Sequence, residues 1–169
     1  DTLYVDEDDI LVLNATNGVL SNDIDVDGDE LVSELLRDVR KGVLDFYGDG
    51  SLTYVPESNF FGNDSFNYVA KDESNITDSI KVIIIVSPVN DVPLAVDDEY
   101  VVEAGDSILI QVDSLGILSN DIDIDGDTLS SSIVDSVSHG TVTLNSDGTF
   151  KYVVEEEGFT GVDAFTYAA

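Results

Sequence analysis

Residues 18–31 of this chain read GVLSNDIDVDGDEL, and residues 116–129 repeat them almost unchanged as GILSNDIDIDGDTL. The match continues, since residues 41–55, KGVLDFYGDGSLTYV, return as residues 139–153, HGTVTLNSDGTFKYV. Self-similarity at a fixed spacing is the signature of consecutive copies of one structural unit. The sequence therefore predicts two tandem domains of about 100 residues each.

The two copies differ at their ends. Residues 60–70, FFGNDSFNYVA, return as residues 159–169, but only the first copy continues, through an apolar segment that includes IKVIIIVS. This segment has the length and composition of a strand. We therefore expect the second domain to be truncated and to lack its last strand. The predicted domains are residues 1–92 and 93–169, with a linker over residues 88–97.

Both copies carry the alternation of apolar and polar residues that is typical of half-buried β-strands. YGDG from Tyr47 and NSDG from Asn145 stand between alternating runs and predict hairpin turns. Residues 31–42 have helical periodicity, but their counterpart in the second copy does not, so we predict strand in both. The predicted fold is all-β, two seven-stranded sandwiches in tandem, the second without its last strand. The predicted inward-facing pairs are Leu44/Val142, Phe46/Leu144, Leu52/Phe150, Tyr54/Tyr152, Phe66/Phe165 and Tyr68/Tyr167.

The charge balance limits the kind of partner. The chain has 36 acidic and 6 basic residues and a net charge of −30, so a nucleic-acid partner or an anionic membrane surface is excluded by repulsion. There is no cysteine, and no apolar run is long enough to insert into a membrane. The acidity fits either solubility in a salty medium or the binding of divalent cations, and the clustering of the acids favours cations.

Each copy concentrates four aspartates on alternate residues around one glycine. These are Asp23, Asp25, Asp27 and Asp29, and then Asp121, Asp123, Asp125 and Asp127. Calcium takes six to eight oxygen ligands, and carboxylates crowded so closely repel one another without a counter-charge. The alternative, a solvated acidic loop, is disfavoured because the pattern is repeated. The sequence therefore predicts bound calcium.

Residues 23–34 match a helix–loop–helix calcium hand, with acids at positions 1, 3, 5 and 7, glycine at 6 and Glu34 at 12. The second copy has Ser132 in place of this glutamate, and the preceding residues make a poor entering helix. We therefore reject the calcium hand and keep the acidic loop.

The chain also resembles a known family over essentially its whole length. GVLSNDxDxDGD, FxGxDxFxY and VNDVPLAVDD are together similar to the bacterial cadherin-like tandem repeats of large extracellular adhesins and secreted multidomain proteins. The resemblance implies extracellular, calcium-rigidified sandwiches of cadherin or immunoglobulin type. It also implies that ligands come from the base of one repeat, the linker and the top of the next.

On that pattern the implied ligands of the junction are Glu7, Asp72, Asn90, Asp91, Asp123 and Asp125. Asp25 and Asp27 would face a repeat upstream, and Asp97 and Asp98 are further candidate linker ligands. The chain departs from the family where NDVP replaces the NDN of cadherin linkers and where the glycine of the loop comes one residue early. A self-contained site within each aspartate loop therefore stays open.

No set of residues predicts catalysis. His139 is the one histidine, and Lys41 replaces it in the first copy, so we expect a turn residue. The repeated Asp64 and Asp163 are expected to hydrogen-bond their own turns. The many carboxylates lie in repeated loops, which do not resemble the paired acids of a glycosidase pocket.

We therefore expect calcium-binding structural repeats of a bacterial cell-surface or secreted adhesion protein, and no enzyme. Their partners would be neighbouring repeats of the same chain. The alternative is a calcium-dependent module of a secreted polysaccharide-degrading protein that recognises carbohydrate or another adhesin copy, with Tyr47 as the candidate sugar-stacking residue.

Overall fold

The computed structural model describes residues 1–103 and 106–169, and the chain divides into two compact units, Asp1–Val89 and Asn90–Ala169. Both are built from β-strands, which confirms the predicted fold class. The one helical element in the described residues is a 3-10 turn at Asp113–Leu115. None of the described helical structure has the length or apolarity to span a bilayer.

The first unit has seven strands in two sheets. One sheet has the order β1-β7-β6-β3 and the other the order β2-β5-β4. β1 runs parallel to β7, whereas the other neighbours pair antiparallel. The strands are β1 (Thr2–Asp6), β2 (Leu11–Leu13), β3 (Val32–Arg37), β4 (Gly42–Phe46), β5 (Leu52–Pro56), β6 (Gly62–Lys71) and β7 (Ile80–Ser87).

The core of the first unit follows from the alternation of its strands. Because successive side chains of a strand point to opposite faces, every second residue of β5, β6 and β7 turns inward. The predicted inward residues of this unit all lie in or against the core cluster, which confirms that prediction. The cluster consists of Val5, Val19, Leu52, Tyr54, Phe66, Tyr68, Ala70, Val82, Ile84 and Val86.

The second unit repeats this plan with fewer strands. Its sheets have the orders β10-β11-β8 and β12-β9. Within the described residues no strand stands in the place of β7, as the sequence predicts. The strands are β8 (Ser107–Ile110), β9 (Ser132–Asp135), β10 (Gly140–Leu144), β11 (Phe150–Val154) and β12 (Thr166–Ala168).

The core of the second unit is correspondingly small. Ile117, Val142 and Phe150 are its buried residues, and the remaining predicted inward residues pack against them while staying partly exposed. The prediction that residues 31–42 and their counterpart form strands is also confirmed, by β3 and β9.

Both predicted hairpin turns are present. In the first, Tyr47 N donates to Ser51 O and Gly50 N donates to Tyr47 O, each at 3.0 Å. Gly50 adopts φ +80°, a left-handed conformation that costs glycine little. The turn at Asn145 has the same bonds, with Gly148 at φ +83°.

Candidate functional site

Each acidic loop begins where the chain passes close to a hairpin turn. Val19 N donates to Gly50 O and Ile117 N donates to Gly148 O, both at 3.0 Å. A Cβ atom on Gly18 would lie 2.2 Å from Gly50 O, so only glycine allows this approach. The glycine at the start of the repeated motif therefore allows the acidic loop to pack against the β4–β5 turn.

The first aspartate of each loop is bonded to a tyrosine of the core. Tyr68 OH donates to Asp23 at 3.0 Å and also lies 3.0 Å from Val19 O. Tyr167 OH lies 3.0 Å from an oxygen of Asp121 and 3.0 Å from Ile117 O. Burial, together with the Asp23 carboxylate, raises the pKa of Tyr68 well above its ordinary value. Asp23 and Asp121 therefore fasten their loops to the sandwich.

The second aspartate of each loop fixes the backbone of the residues that follow. Asp25 Oδ1 accepts hydrogen bonds from the N–H groups of Asp27 and Asp29, at 2.9 and 3.0 Å. Asp123 Oδ1 accepts from Asp125 N and Asp127 N at 3.0 and 3.1 Å. These are Asx turns, in which an aspartate side chain orders its own loop. The two loops thus share one conformation, with Asp27, Asp29 and Asp127 exposed.

Asp72 lies beside the first loop. Its carboxylate accepts hydrogen bonds from the N–H groups of Ser74 and Asn75, which hold its pKa below the ordinary value, and the Asp25 carboxylate is within hydrogen-bonding reach. The sequence resemblance grouped Asp72 with the linker and the second loop. In the structure Asp72 lies near Asp25. Asp72 follows the end of β6, and β6 pairs there with the start of β3, which directly follows the acidic loop.

The linker segment runs along the second loop within the second unit. Leu94 and Ile122 form a bridge with N···O distances of 2.8 and 3.0 Å. Asp91 N donates to Asp125 at 2.7 Å, and Val96 N donates to Asp121 at 2.8 Å. The acids of the linker are thereby held next to those of the loop.

Two acids of this segment meet at the hydroxyl of Tyr167. Its hydroxyl lies 3.3 Å from Asp98 and 3.0 Å from Asp121, although a hydroxyl has only one proton to donate. Burial raises the pKa of Asp98, and the charges of Asp121 and Asp97 add to the rise. The two carboxylates therefore carry an electrostatic cost that a cation would relieve.

The other predicted ligands have structural contacts. Glu7 is 3% exposed, and its Oε1 accepts from Val89 N at 2.7 Å, which fastens the end of the first unit. Asn90 Nδ2 donates to Asp91 O, and Asp97 O accepts from Asn120 Nδ2 at 3.4 Å. In the part of the chain that the structure describes, no group of three or more acidic, histidine or cysteine side chains is arranged to hold a metal ion.

A second pair of repeated aspartates has a role that the sequence only partly predicted. Asp64 does bond its own Ser65 N, but it also accepts from Arg40 N, Lys41 N and Tyr54 OH at 2.8–3.2 Å. Asp163 likewise accepts from Ser138 N, His139 N and Tyr152 OH at 2.8–2.9 Å. Each holds the turn before the β4 or β10 strand. The repeated motif FxGxDxFxY contained this signal, since its aspartate recurs in both copies.

Two residues that could have indicated another function lie in ordinary turns. His139 has its ring stacked on Phe159 at 4.0 Å and its Nδ1 at 2.5 Å from Glu156. This agrees with the predicted turn position. Tyr47 is 55% exposed at the β4–β5 turn, where the second unit has Asn145.

The fold and the repeated loop define a protein built of tandem β-sandwich repeats. Residues 1–85 match the family model of the bacterial Ig domain, and residues 90–169 match that of the bacterial cadherin-like domain. The chain belongs to the bacterial Ig domain family, and the match of its second unit to the bacterial cadherin-like domain confirms the resemblance inferred from its motifs. Domains of these families are typically not catalytic, and cadherin-like domains are of extracellular type. A comparison with curated proteins finds no match.

Solved structures agree on the fold. Two domains of human protocadherin-24 align over 98% of this chain and 81% of theirs, with a TM-score of 0.62 and 12% identity. Protocadherin gammaB7 aligns over 98% of this chain and 44% of its own, with a TM-score of 0.52 and 12% identity. At such identities the likeness shows the fold alone. An endo-fucoidan hydrolase from glycoside hydrolase family 107 aligns over 83% of this chain and 21% of its own, at 17% identity, but its TM-score of 0.32 carries no argument.

Proposed function

We propose that the two units are calcium-binding, calcium-rigidified structural repeats of a bacterial cell-surface or secreted adhesion protein. The observation that carries this proposal is the acidic loop itself. Two copies hold their aspartates in one backbone conformation, and in the second unit the linker acids are hydrogen-bonded alongside. Cadherin domains generally bind calcium, which supports the same reading.

The donor atoms favour calcium among the common metals. All of the candidate ligands are carboxylate or amide oxygens, and the chain has no cysteine and one histidine, which lies in a turn. Hard oxygen ligands suit calcium and magnesium, and the flexible coordination of calcium tolerates loops better than the strict octahedron of magnesium. The described residues bring acids together in pairs, so a bound ion would draw in further oxygens of the same loops.

The residues that would hold the ions fall into two groups. In the first unit they are Asp25 and Asp72, with Asp27 and Asp29 on the same loop. In the second unit they are Asp91, Asp98, Asp121, Asp123 and Asp125. A bound calcium would supply positive charge that offsets the repulsion among these carboxylates.

The mechanical consequence would be a restrained linker. Acids of the linker and acids of the second loop would be ligands of the same ion. The linker backbone already pairs with the loop at Leu94 and Ile122. Ion binding to the folded state alone stabilises it by about 2.7 kcal/mol when calcium is a hundredfold above Kd. Sites of extracellular modules typically have Kd values of about 10⁻⁴–10⁻³ M, which fits a secreted repeat.

The test is calorimetric titration of the chain with calcium, on Asp123→Asn and on the matched control Asp147→Asn. Both aspartates accept a backbone N–H within a turn, but only Asp123 is in the acidic loop, so the amide keeps the turn in each variant. We expect Asp123→Asn to weaken calcium binding about tenfold or more, since one charge is lost, and Asp147→Asn to leave it unchanged. Equal affinities in both variants, or no calcium binding to the parent chain, would contradict the proposal.

A further inference from the structure

One face of the first unit is exposed to solvent and rich in aliphatic residues. It is the outer face of the β2-β5-β4 sheet, on the side away from the core residues Leu44, Leu52 and Tyr54. Successive side chains of a strand point to opposite faces, so the residues between these core positions point outward. The backbone bond from Glu57 N to Lys41 O extends the β4–β5 pairing by one step. The residues of the outer face are therefore Val12, Lys41, Val43, Asp45, Thr53, Val55 and Glu57.

The valines of the outer face are neighbours. Val43 pairs directly with Val55, and Val12 pairs with Thr53, which lies two residues before Val55 on the central strand. Residues directly or diagonally opposite on antiparallel strands are within reach of one another. Val12 and Val43 are 65% and 66% exposed, and Val55 is 39% exposed. The three valines therefore form one contiguous apolar patch.

The second unit shows that the fold does not require this patch. The repeat counterpart of Val43 is Thr141, and that of Thr53 is Lys151. The β10-β11-β8 sheet therefore forms with polar or charged residues at these places. A contiguous exposed apolar patch that strand pairing does not need indicates a surface used in association.

The charges of the outer face are few and nearly balanced. Lys41 Nζ lies 3.6 Å from Glu57, so the charges of these two side chains offset each other. Asp45 is the remaining charged residue of the face. The chain as a whole has a net charge of −30, so a second copy approaching this face would meet little local repulsion.

The outer face is also complementary to itself. Lys41, Val43 and Asp45 stand at successive outward positions along one edge of the sheet. In a symmetric dimer the same surface patch of both copies meets. A two-fold axis that crosses the strands at Val43 would place Val43 against its own copy. The same axis would place Lys41 of each copy opposite Asp45 of the other.

We propose that the outer face of the β2-β5-β4 sheet binds a second copy of this chain in a symmetric dimer, with the two sheets packed face to face. Val43 and Val55 would lie at its centre, and Lys41 and Asp45 would form an ion pair on each side of the axis. A carbohydrate suits the face less well, because its apolar residues are aliphatic and the exposed Tyr47 lies beyond it, in the hairpin turn.

The size of the face sets the strength of the dimer. A stable complex buries about 800 Å² on each partner, whereas three strands of three to five residues cover roughly 250 Å². We therefore expect a weak dimer, with a Kd of about 10⁻⁴ M. Such a contact becomes effective where several copies are presented together, because multivalency raises the overall affinity.

The first experiment is sedimentation equilibrium of the full chain, in calcium, on Val43→Lys and on the matched control Leu109→Lys. Leu109 is 54% exposed on the outer side of the corresponding sheet of the second unit. Val43→Lys would bring two ammonium groups together at the axis, so we expect at least tenfold weaker dimerisation, with Leu109→Lys unchanged. Val43→Thr, which introduces the residue that the second unit has at this place, should weaken the dimer in the same direction, about threefold. A parent chain that stays monomeric up to about 1 mM, or equal dimerisation by all variants, would overturn the proposal.

Charge reversal tests the two-fold arrangement. Lys41→Glu alone would set two carboxylates opposite each other on both sides of the axis, and Asp45→Lys alone would set two ammonium groups there. Each variant should therefore dimerise at least tenfold more weakly than the parent chain. A mixture of the two variants would again pair a carboxylate with an ammonium group on both sides, so its heterodimer should recover about the parent affinity. Failure of the mixture to associate more tightly than either variant alone would contradict the arrangement.

Salt distinguishes an apolar contact from one held by charges alone. Two strongly negative chains repel each other over about 30 Å at 10 mM salt but over about 8 Å at 150 mM. We therefore expect tighter dimerisation at 150 mM sodium chloride than at 10 mM, and a weaker dimer at the higher salt would contradict burial of the valines. β2, β4 and β5 contain none of the proposed calcium ligands, so Asp123→Asn should dimerise like the parent chain. Failure of the dimer would leave the calcium proposal standing.

Discussion

At the scale of single residues, the repeated aspartates divide into two kinds. Asp23 and Asp121 bond the hydroxyls of Tyr68 and Tyr167, and Asp64 and its counterpart bond backbone N–H groups of a neighbouring turn. These four are occupied by protein donors. The calcium proposal depends on Asp121, which also meets Asp98 at the Tyr167 hydroxyl, and on the remaining loop and linker acids.

Asp64 provides a test of this division. Asp64→Ala would leave the N–H groups of Arg40 and Lys41 and the hydroxyl of Tyr54 without their acceptor in a nearly closed site. Buried donors without partners are costly, so we expect the free energy of unfolding to fall by about 3 kcal/mol. Urea unfolding followed by circular dichroism measures it.

The exposed Asp8 is the control, and Asp8→Ala should change stability by less than about 0.5 kcal/mol. Similar small losses in both variants would show that Asp64 is not holding the turn. Calcium affinity should be the same in both, since neither residue belongs to the acidic loops.

The sequence could predict which residues face inward, because alternation along a strand is a local pattern. It could not predict that Tyr68 reaches Asp23, because this bond joins segments far apart in the chain. For the same reason the sequence could not predict that Asp72 lies near Asp25. The residues next to Asp72 in the sequence do not indicate that the end of β6 lies beside Asp25.

At the scale of elements, the decisive feature is the approach of Gly18 to the β4–β5 turn. The hairpin could be predicted from its glycine and aspartate, and comparison of the two copies decided strand over helix for β3. The parallel pairing of β1 with β7 could not be predicted, because it depends on a segment at the other end of the unit.

Gly18→Ala tests the contact between loop and turn. Its Cβ would lie 2.2 Å from Gly50 O, and the obstructing atom is backbone that cannot rotate away. We expect a loss of about 2 kcal/mol in the free energy of unfolding, as for other overpacked sites. Thermal and urea unfolding measure the loss.

Ser21→Ala in the same loop is the control, because Ser21 is exposed, and it should be nearly neutral. If Gly18→Ala were as stable as Ser21→Ala, a close contact between the loop and the turn at Gly18 would be contradicted. Gly116→Ala should repeat the effect in the second unit, where the Cβ would lie 2.6 Å from Gly148 O.

At the scale of the whole molecule, the net charge of −30 works against folding unless cations offset it. Any salt screens exposed charge, whereas an ion held by loop oxygens acts on particular carboxylates. We therefore expect calcium to stabilise the chain beyond the effect of ionic strength. Magnesium, which demands stricter geometry, should not replace it.

The most direct test is thermal unfolding of the chain in chelator and across a calcium titration, with magnesium at matched ionic strength. We expect a calcium-specific rise of roughly 10 °C in Tm once calcium is a hundredfold above Kd. No rise, or an equal rise with magnesium, would contradict it and leave the acidic loops as solvated surface.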